Sequence, residues 1–96
     1  MIVHIVMFKF KEENKAENIA RVKTLLEALP QSITQLLSLE VGVDVNGGER
    51  AMDLVLTTTF ETKEALENYA VHPAHLEVVA VIKTVTETSK VVDYVR

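Results

Sequence analysis

Four side chains that can exchange protons or stabilise negative charge stand out in this chain of 96 residues. Tyr69, His72 and His75 lie in one short segment, and His4 lies in an apolar run near the amino terminus. Histidine titrates near neutral pH and can act as an acid or a base. A tyrosine hydroxyl can donate a hydrogen bond to a developing oxyanion. These residue types indicate acid–base chemistry in a pocket.

Each of these residues also has a structural interpretation, and both interpretations stay open. His72 precedes Pro73 and would cap a helix that begins there. His4 and His75 would be core histidines that are hydrogen-bonded to each other or to Tyr69. Tyr69 itself would be a core aromatic residue whose hydroxyl group is paired.

Other kinds of site have less support. His72 and His75 would need a third partner to bind a metal, and no carboxylate stands at a recognisable spacing, so we expect no metal site. The chain has no cysteine, which excludes disulfides and thiolate chemistry. No phosphate-binding glycine loop or serine nucleophile motif is present, and we expect no cofactor. The net charge of −4, without a basic patch, argues against nucleic acid as a partner.

The elements that would position these residues alternate between strand and helix. Ile2–Phe10 is rich in β-branched and aromatic residues, which predicts a strand. Ala16–Leu29 has apolar residues at spacings of three and four, which predicts a helix that Pro30 would end. A further short helical turn is expected at 33–37. The later predicted elements are strands at Leu39–Val45 and Met52–Phe60, a helix from Thr62 that restarts at Pro73 and runs to about Ile82, and a strand within Lys83–Val95.

This order predicts an α+β fold of the ferredoxin-like type, β-α-β-β-α-β, with helices on one face of an antiparallel sheet. The predicted first strand is apolar on both sides, with Val3, Ile5 and Met7 on one side. Val6 and Phe8 lie on the other side. A sheet face that meets solvent should be polar. The face of Ile5 therefore predicts a second copy of the chain, packed sheet against sheet.

The length of the chain predicts a single domain over residues 1–96. A chain of this size buries only about 60–65% of the surface that its unfolded form exposes, so it gains from a partner. No apolar run is long enough to span a bilayer. The amino terminus lacks a basic region followed by a cleavage site. We therefore expect a cytoplasmic homodimer that does not bind membranes.

The chain resembles the stress-responsive dimeric A/B barrel (Dabb) family over essentially its whole length. The most specific match is the element formed by Tyr69, His72, Pro73 and His75. The resemblance implies a ferredoxin-like protomer that dimerises into an α/β barrel through its sheets, and a role in stress response. The other matching segments are Phe8-Lys9-Phe10-Lys11, Val41-Gly42-Val43-Asp44, Thr59-Phe60-Glu61-Thr62 and Val92-Asp93-Tyr94.

The family's characterised enzyme is a plant polyketide cyclase, olivetolic acid cyclase, and the resemblance implies site residues here. By motif match, His75 would be the catalytic base, Tyr69 its supporting hydroxyl and His4 a pocket histidine. The base would remove a proton next to a carbonyl group, and the hydroxyl would stabilise the enolate. The substrate-binding positions would be Val6, Phe8, Ile19 and Val22.

Four positions depart from the cyclase. Ile19 and Val22 stand where the cyclase has large aromatic residues, Thr86 replaces a pocket tryptophan, and Asp53 stands in place of a histidine. The acid–base pair is thus kept, whereas the polyketide-shaped pocket is not. Three functions stay open: a homodimeric protein with a small apolar pocket near His75, a cofactor-independent lyase or isomerase acting on a carbonyl compound, and a purely structural oligomer.

Overall fold

A computed structural model describes all 96 residues and contains one four-stranded antiparallel sheet with three α-helices. The strand order across the sheet is β2-β3-β1-β4. This is the ferredoxin-like arrangement, so the predicted fold class is confirmed. The strands are β1 (Ile2–Phe10), β2 (Ser38–Val43), β3 (Leu54–Phe60) and β4 (Thr86–Val95), and the helices are α1 (Lys15–Glu27), α2 (Lys63–Ala70) and α3 (Pro73–Val85).

The main difference from the predicted elements lies after α1. The helix ends at Glu27, two residues before the predicted end, and Pro30 lies in a 3₁₀ turn at Leu29–Gln31. The predicted helical turn at 33–37 is reduced to a single turn, in which the Leu36 N–H donates to the Ile33 carbonyl at 3.4 Å. Ile33 is buried, but the backbone N–H of Leu37 donates to the carbonyl of Thr59 at 3.0 Å. This bond draws the segment into the sheet instead of a helix.

The junction between α2 and α3 places the candidate residues on two adjoining helices. Thr62 caps α2, because its hydroxyl accepts a hydrogen bond from the Ala65 N–H at 3.1 Å. The N–H of His72 donates to the carbonyl of Tyr69 at 3.1 Å, which closes the end of α2. Pro73 then begins α3, where its missing N–H has no cost. Tyr69 and His75 therefore lie on either side of a tight turn.

The sheet has a covered face, which packs against the helices, and an open face. Residues paired across antiparallel strands point to the same side. His4 pairs with Thr58 and Asp93, so these three residues lie on the covered face. The core packs between that face and the helices. Its buried residues are Phe8, Phe10, Val22, Leu26, Leu29, Ile33, Leu54, Leu56, Phe60, Leu66, Tyr69, Val78 and Ile82.

The open face is apolar at its centre. Ile5 pairs with Thr57 and Val92, and Met7 lies beside it on the same face. Val92 is 55% exposed and Tyr94 is 44% exposed in the single chain. Val3, which was also assigned to the partner, is already fully buried within one chain. The surface left for a partner is therefore centred on Ile5, Met7 and Val92.

Candidate functional site

A cavity of about 290 Å³ lies on the covered face, between α3 and the strands β1 and β4. His4, Val6 and Phe8 of β1 line one side of it, and His75 of α3 lines another. The wall is mainly apolar, with a few polar groups, as is usual for small-molecule sites. The remaining lining residues are Leu26, Leu56, Val78, Val79, Ile82, Lys83, Thr86, Ser89 and Val91.

The periodicity of two elements explains this wall. His75, Val79 and Ile82 recur at helical spacing, so they form one stripe along α3 that faces the sheet. The covered face of β1 supplies every second residue. Val91 of β4 lies on the same face but is 58% exposed, because β4 is an edge strand that the helices do not fully cover. The cavity is therefore open along β4.

The ring of His75 is held in one tautomer. Its Nδ1 atom lies 3.0 Å from the carbonyl oxygen of Ala70. A carbonyl oxygen only accepts hydrogen bonds, so Nδ1 must carry the proton and Nε2 is left with a free lone pair. Burial lowers the pKa of His75 below 6.5, and the nearby His4 and His72 act in the same direction against the Ala70 hydrogen bond. At neutral pH the ring is a neutral base that lines the cavity.

Tyr69 is fully buried, and its hydroxyl group makes no hydrogen bond with any protein atom. Burial raises the pKa of Tyr69 to about 12, so the hydroxyl keeps its proton. The ring centroid lies 4.3 Å from that of His75 and 6.4 Å from that of His4, but Tyr69 itself does not line the cavity. The paired hydroxyl expected for a core tyrosine is therefore absent. A buried donor without an acceptor is rare in folded proteins and costs stability.

His4 pairs with a residue that the candidate set did not include. Its Nδ1 atom forms an ion-pair contact with the carboxylate of Asp93, its cross-strand neighbour on β4. A carboxylate accepts hydrogen bonds and an imidazole N–H donates them, so Nδ1 is the donor in this contact. The expected hydrogen bonds from His4 to His75 or Tyr69 are not formed. The register of β1 with β4 was the missing signal, and spacing along the chain does not reveal it.

The other predicted residues divide between the cavity and the scaffold. Val6 and Phe8 line the cavity. Val22 is fully buried in the core and Ile19 packs against that core, and neither lines the cavity. They face the core because the α1 stripe reaches the cavity only one turn later, at Leu26. His72 caps α3 by accepting a hydrogen bond from the Ala74 N–H at 3.1 Å, which is its structural interpretation.

Two further positions that differ from the cyclase have distinct places. Thr86 lines the cavity, and its hydroxyl donates to the carbonyl of Ile82 at 2.8 Å. Asp53 lies outside the cavity. Its carboxylate accepts from the Phe10 N–H at 2.7 Å and forms an ion pair with Lys15 at 3.2 Å. Asp53 therefore ties α1 to the sheet.

A larger depression of about 540 Å³ lies on the exposed loop after β2, where Asn46, Glu49 and Arg50 form part of its wall. It contains none of the candidate residues and is remote from the histidine cluster in the sequence. No group of three or more His, Asp or Glu side chains is arranged to hold a metal ion. The smaller cavity beside His75 is therefore the better candidate site.

Two comparisons by sequence cover nearly the whole chain. Residues 2–96 match the family described as Stress responsive A/B Barrel Domain, or Dabb. The chain is also 29% identical over 94 residues to the stress-response A/B barrel domain-containing protein At5g22580 of Arabidopsis thaliana. That alignment covers 95% of this chain and 82% of the Arabidopsis protein.

Solved structures show the same architecture. A dimeric protein of ferredoxin-like fold from Bacteroides fragilis is 31% identical, with a TM-score of 0.89, and the match covers 97% of this chain and 93% of that one. The hydroxynitrile lyase of Passiflora edulis is 19% identical, with a TM-score of 0.87, and the match covers 99% of this chain and 92% of the lyase. At that identity the second likeness shows the fold alone. No helix of this chain is both long enough and apolar enough to cross a bilayer.

Proposed function

Since this chain belongs to the stress responsive A/B barrel domain family, we propose that it works as a homodimer in which each protomer binds a small, largely apolar carbonyl compound. The ligand occupies the cavity beside His75. The observation that supports this most directly is a neutral imidazole of fixed tautomer, with a free Nε2 atom, in the wall of an apolar cavity. A histidine in a purely structural core would have no such cavity beside it.

The dimer is supported by the open face. Its central residues, Ile5, Met7 and Val92, form an apolar surface that one chain leaves uncovered. A patch of this kind on a small domain marks an interface. The Bacteroides fragilis relative is dimeric and has the same fold. A two-fold axis would pack the same face of two copies together and cover both at once.

The ligand class is supported by size and by unpaired polar groups. A volume of about 290 Å³ lies at the lower end of the range for ligand sites, which favours a small molecule. The Tyr69 hydroxyl is a donor that lacks an acceptor within the chain. Tyr69 is buried beside His75 and does not itself line the cavity, so a ligand would reach this hydroxyl only after one of the two rings moves. A carbonyl oxygen is such an acceptor. The apolar side chains of Val6 and Phe8 would pack against the rest of the ligand.

Binding is tested by adding a panel of small ketones and aldehydes and recording the ring NMR signals of the histidines. We expect shifts at His75 and His4, and we expect a His75→Ala variant to lose most of the affinity. His72→Ala is the matched control, because His72 caps a helix and should leave affinity unchanged. Equal affinity in wild type and His75→Ala would contradict the assignment of the cavity. No binding by any compound would favour the structural oligomer.

A second candidate function is a cofactor-independent enzyme that moves a proton next to a carbonyl group, as in lyases, cyclases and isomerases. It is favoured by the lowered pKa and fixed tautomer of His75, which make Nε2 a base at neutral pH. The protonated hydroxyl of Tyr69 would stabilise the enolate. The cavity is open, as a substrate would require, but His75 and Tyr69 do not form a hydrogen bond with each other.

The enzyme function is tested by incubating bound ketones in D₂O and following loss of the α-proton signal by NMR. We expect both wild type and His72→Ala to accelerate the exchange, and His75→Ala to lose the acceleration. A carbonyl compound that binds beside His75 but exchanges no faster than in buffer would rule out this candidate and leave the binding function in place.

A further inference from the structure

The cavity has a second polar end, which the proposed function does not use. Lys83 lines it from the last turn of α3, eight residues after His75. Eight residues of helix span about 12 Å along the axis. Ser89 of β4 lines the same cavity and pairs with Phe8 across the strands, four residues along β1 from His4. The imidazole end and the Lys83 end therefore lie at opposite limits of one cavity.

The Lys83 end has a positive charge without a counter-charge. Lys83 takes part in none of the four ion pairs within the chain. No Asp or Glu lines the cavity, although the whole chain has a net charge of −4. The hydroxyl of Thr86 donates to the Ile82 carbonyl, whereas the hydroxyl of Ser89 is exposed and accessible to a ligand. An ammonium and a hydroxyl beside apolar side chains can together bind an anion.

The wall between the two ends is apolar. Val79 and Ile82 supply it from α3, and Val6 and Phe8 supply it from β1. Lys83 and Ser89 are exposed, so they form a solvent-accessible polar end of this apolar wall. Such a wall fits a ligand that is apolar in the middle and anionic at one end. A neutral apolar compound would leave the Lys83 end unused.

We propose that the ligand is an elongated carboxylate, whose anionic end contacts Lys83 and Ser89 and whose apolar body lies along Phe8 and Val79. Its far end reaches His75, where the carbonyl group of the proposed function would lie. This inference rests on that function, because it names the chemical class of the molecule that the cavity binds.

Octanoate and octanamide test the inference, because they differ in charge but hardly in shape. Affinities are measured by calorimetry for wild type and for Lys83→Met and Lys83→Arg. We expect wild type to bind octanoate about fivefold or more tightly than octanamide, in line with a charge-assisted contact at an accessible site. Lys83→Met should remove this preference, and Lys83→Arg should keep it. Added salt should weaken the binding of octanoate and leave the binding of octanamide unchanged.

Two further variants locate the binding. Lys23→Met is the matched control, because Lys23 lies on α1 in an ion pair with Glu27, outside the cavity, and the same charge is removed. It should leave the preference unchanged. Val79→Phe should fill the cavity and weaken both ligands together. Octanoate binding that survives Val79→Phe would place the carboxylate elsewhere and overturn the inference.

Three other results separate the inference from the proposed function. Equal wild-type affinity for octanoate and octanamide would overturn the carboxylate class and leave the cavity as a binding site. A preference lost in His75→Ala but kept in Lys83→Met would place the anion at the wrong end, which also overturns it. If neither octanoate nor octanamide nor any compound of the carbonyl panel binds, the proposed function itself is refuted.

Discussion

The two faces of the sheet are both apolar in β1, yet they differ in what covers them. The covered face meets the chain's own helices and contains a polar exception in β1, the largely buried His4, which pairs with the half-exposed Asp93 on the edge strand β4. The open face has Ile5 and Met7 at its centre and nothing in the chain to cover them. A polar group among buried residues points to chemistry, whereas an uncovered apolar group points to a partner. Under the proposed function, the same alternating strand contributes one face to the cavity and the other face to the dimer.

The largest effect should come from the core beneath the covered face. Phe10 is fully buried there, so Phe10→Ala should reduce the free energy of unfolding by about 3–5 kcal/mol. Because the lost contacts are within one chain, the reduction should be the same at every protein concentration. Chemical denaturation at two concentrations checks this, and a loss below about 1 kcal/mol would mean that Phe10 is not a core residue.

A substitution on the open face should instead change the dissociation constant of the dimer. Ile5→Asp would bury a carboxylate in each protomer, at a cost of at least about 2–3 kcal/mol. We expect the dimer dissociation constant to rise by about 100-fold or more, measured by sedimentation equilibrium. Val45→Asp is the control, since Val45 is fully exposed on a loop and should have no effect. A native dimer in Ile5→Asp would reverse the assignment of the two faces.

The two neighbouring histidines of α3 should separate stability from binding. His72→Ala removes a helix cap and should cost about 1 kcal/mol of unfolding free energy without changing ligand affinity. His75→Ala should do the opposite, with a small change in stability and a large loss of affinity. Thermal unfolding and calorimetry on both variants test this, and a loss of affinity in both would show that the cap and the cavity are one unit.

Tyr69 should show the cost of an unpaired donor. Tyr69→Phe removes the buried hydroxyl and keeps the ring, so the ligand-free protein should become more stable by about 1 kcal/mol. Affinity for carbonyl compounds should fall in the same variant. A loss of stability of that size would indicate that the hydroxyl is paired in solution and that its donor is not reserved for a ligand.

The smallest expected effect is the pH dependence due to His75. Its pKa is below 6.5 in the folded chain, so the unfolded chain binds more protons in the window between these two values. Stability should therefore decrease as the pH falls through 6.5 towards the folded-state pKa. His75→Gln should lack this part of the decrease. NMR titration gives the folded-state pKa directly, and a value above 6.5 would contradict the burial of the ring.

Alternation and helical spacing were enough to predict the fold, and together with the family resemblance they predicted four of the thirteen residues that line the cavity. The strand Ile2–Phe10 has the predicted bounds, and His4, Val6, Phe8 and His75 lie together because side-chain direction follows from those periods. The contact between His4 and Asp93 could not be predicted, because it depends on the register in which β1 and β4 pair. Asp93 meets His4 only through the pairing of β1 with β4, and those residues are far apart in the chain.

The sequence pattern also did not predict which residue of α1 faces the cavity or where α3 ends. Leu26 lines the cavity in place of Ile19 and Val22. The apolar stripe of α1 packs against the core, and this packing determines which of its residues reaches the cavity. The helix that begins at Pro73 continues past Ile82 to Val85, and this extra turn brings Lys83 into the wall.

Native mass spectrometry of the purified protein, incubated with the carbonyl panel, tests the two faces in one measurement. We expect wild type to have the mass of two chains with two small molecules bound. Val79→Phe should also have the mass of two chains, but without bound molecules, because only the covered face is changed. A single-chain mass for wild type, or an equal number of bound molecules in both proteins, would contradict the division of the sheet into a binding face and a partner face.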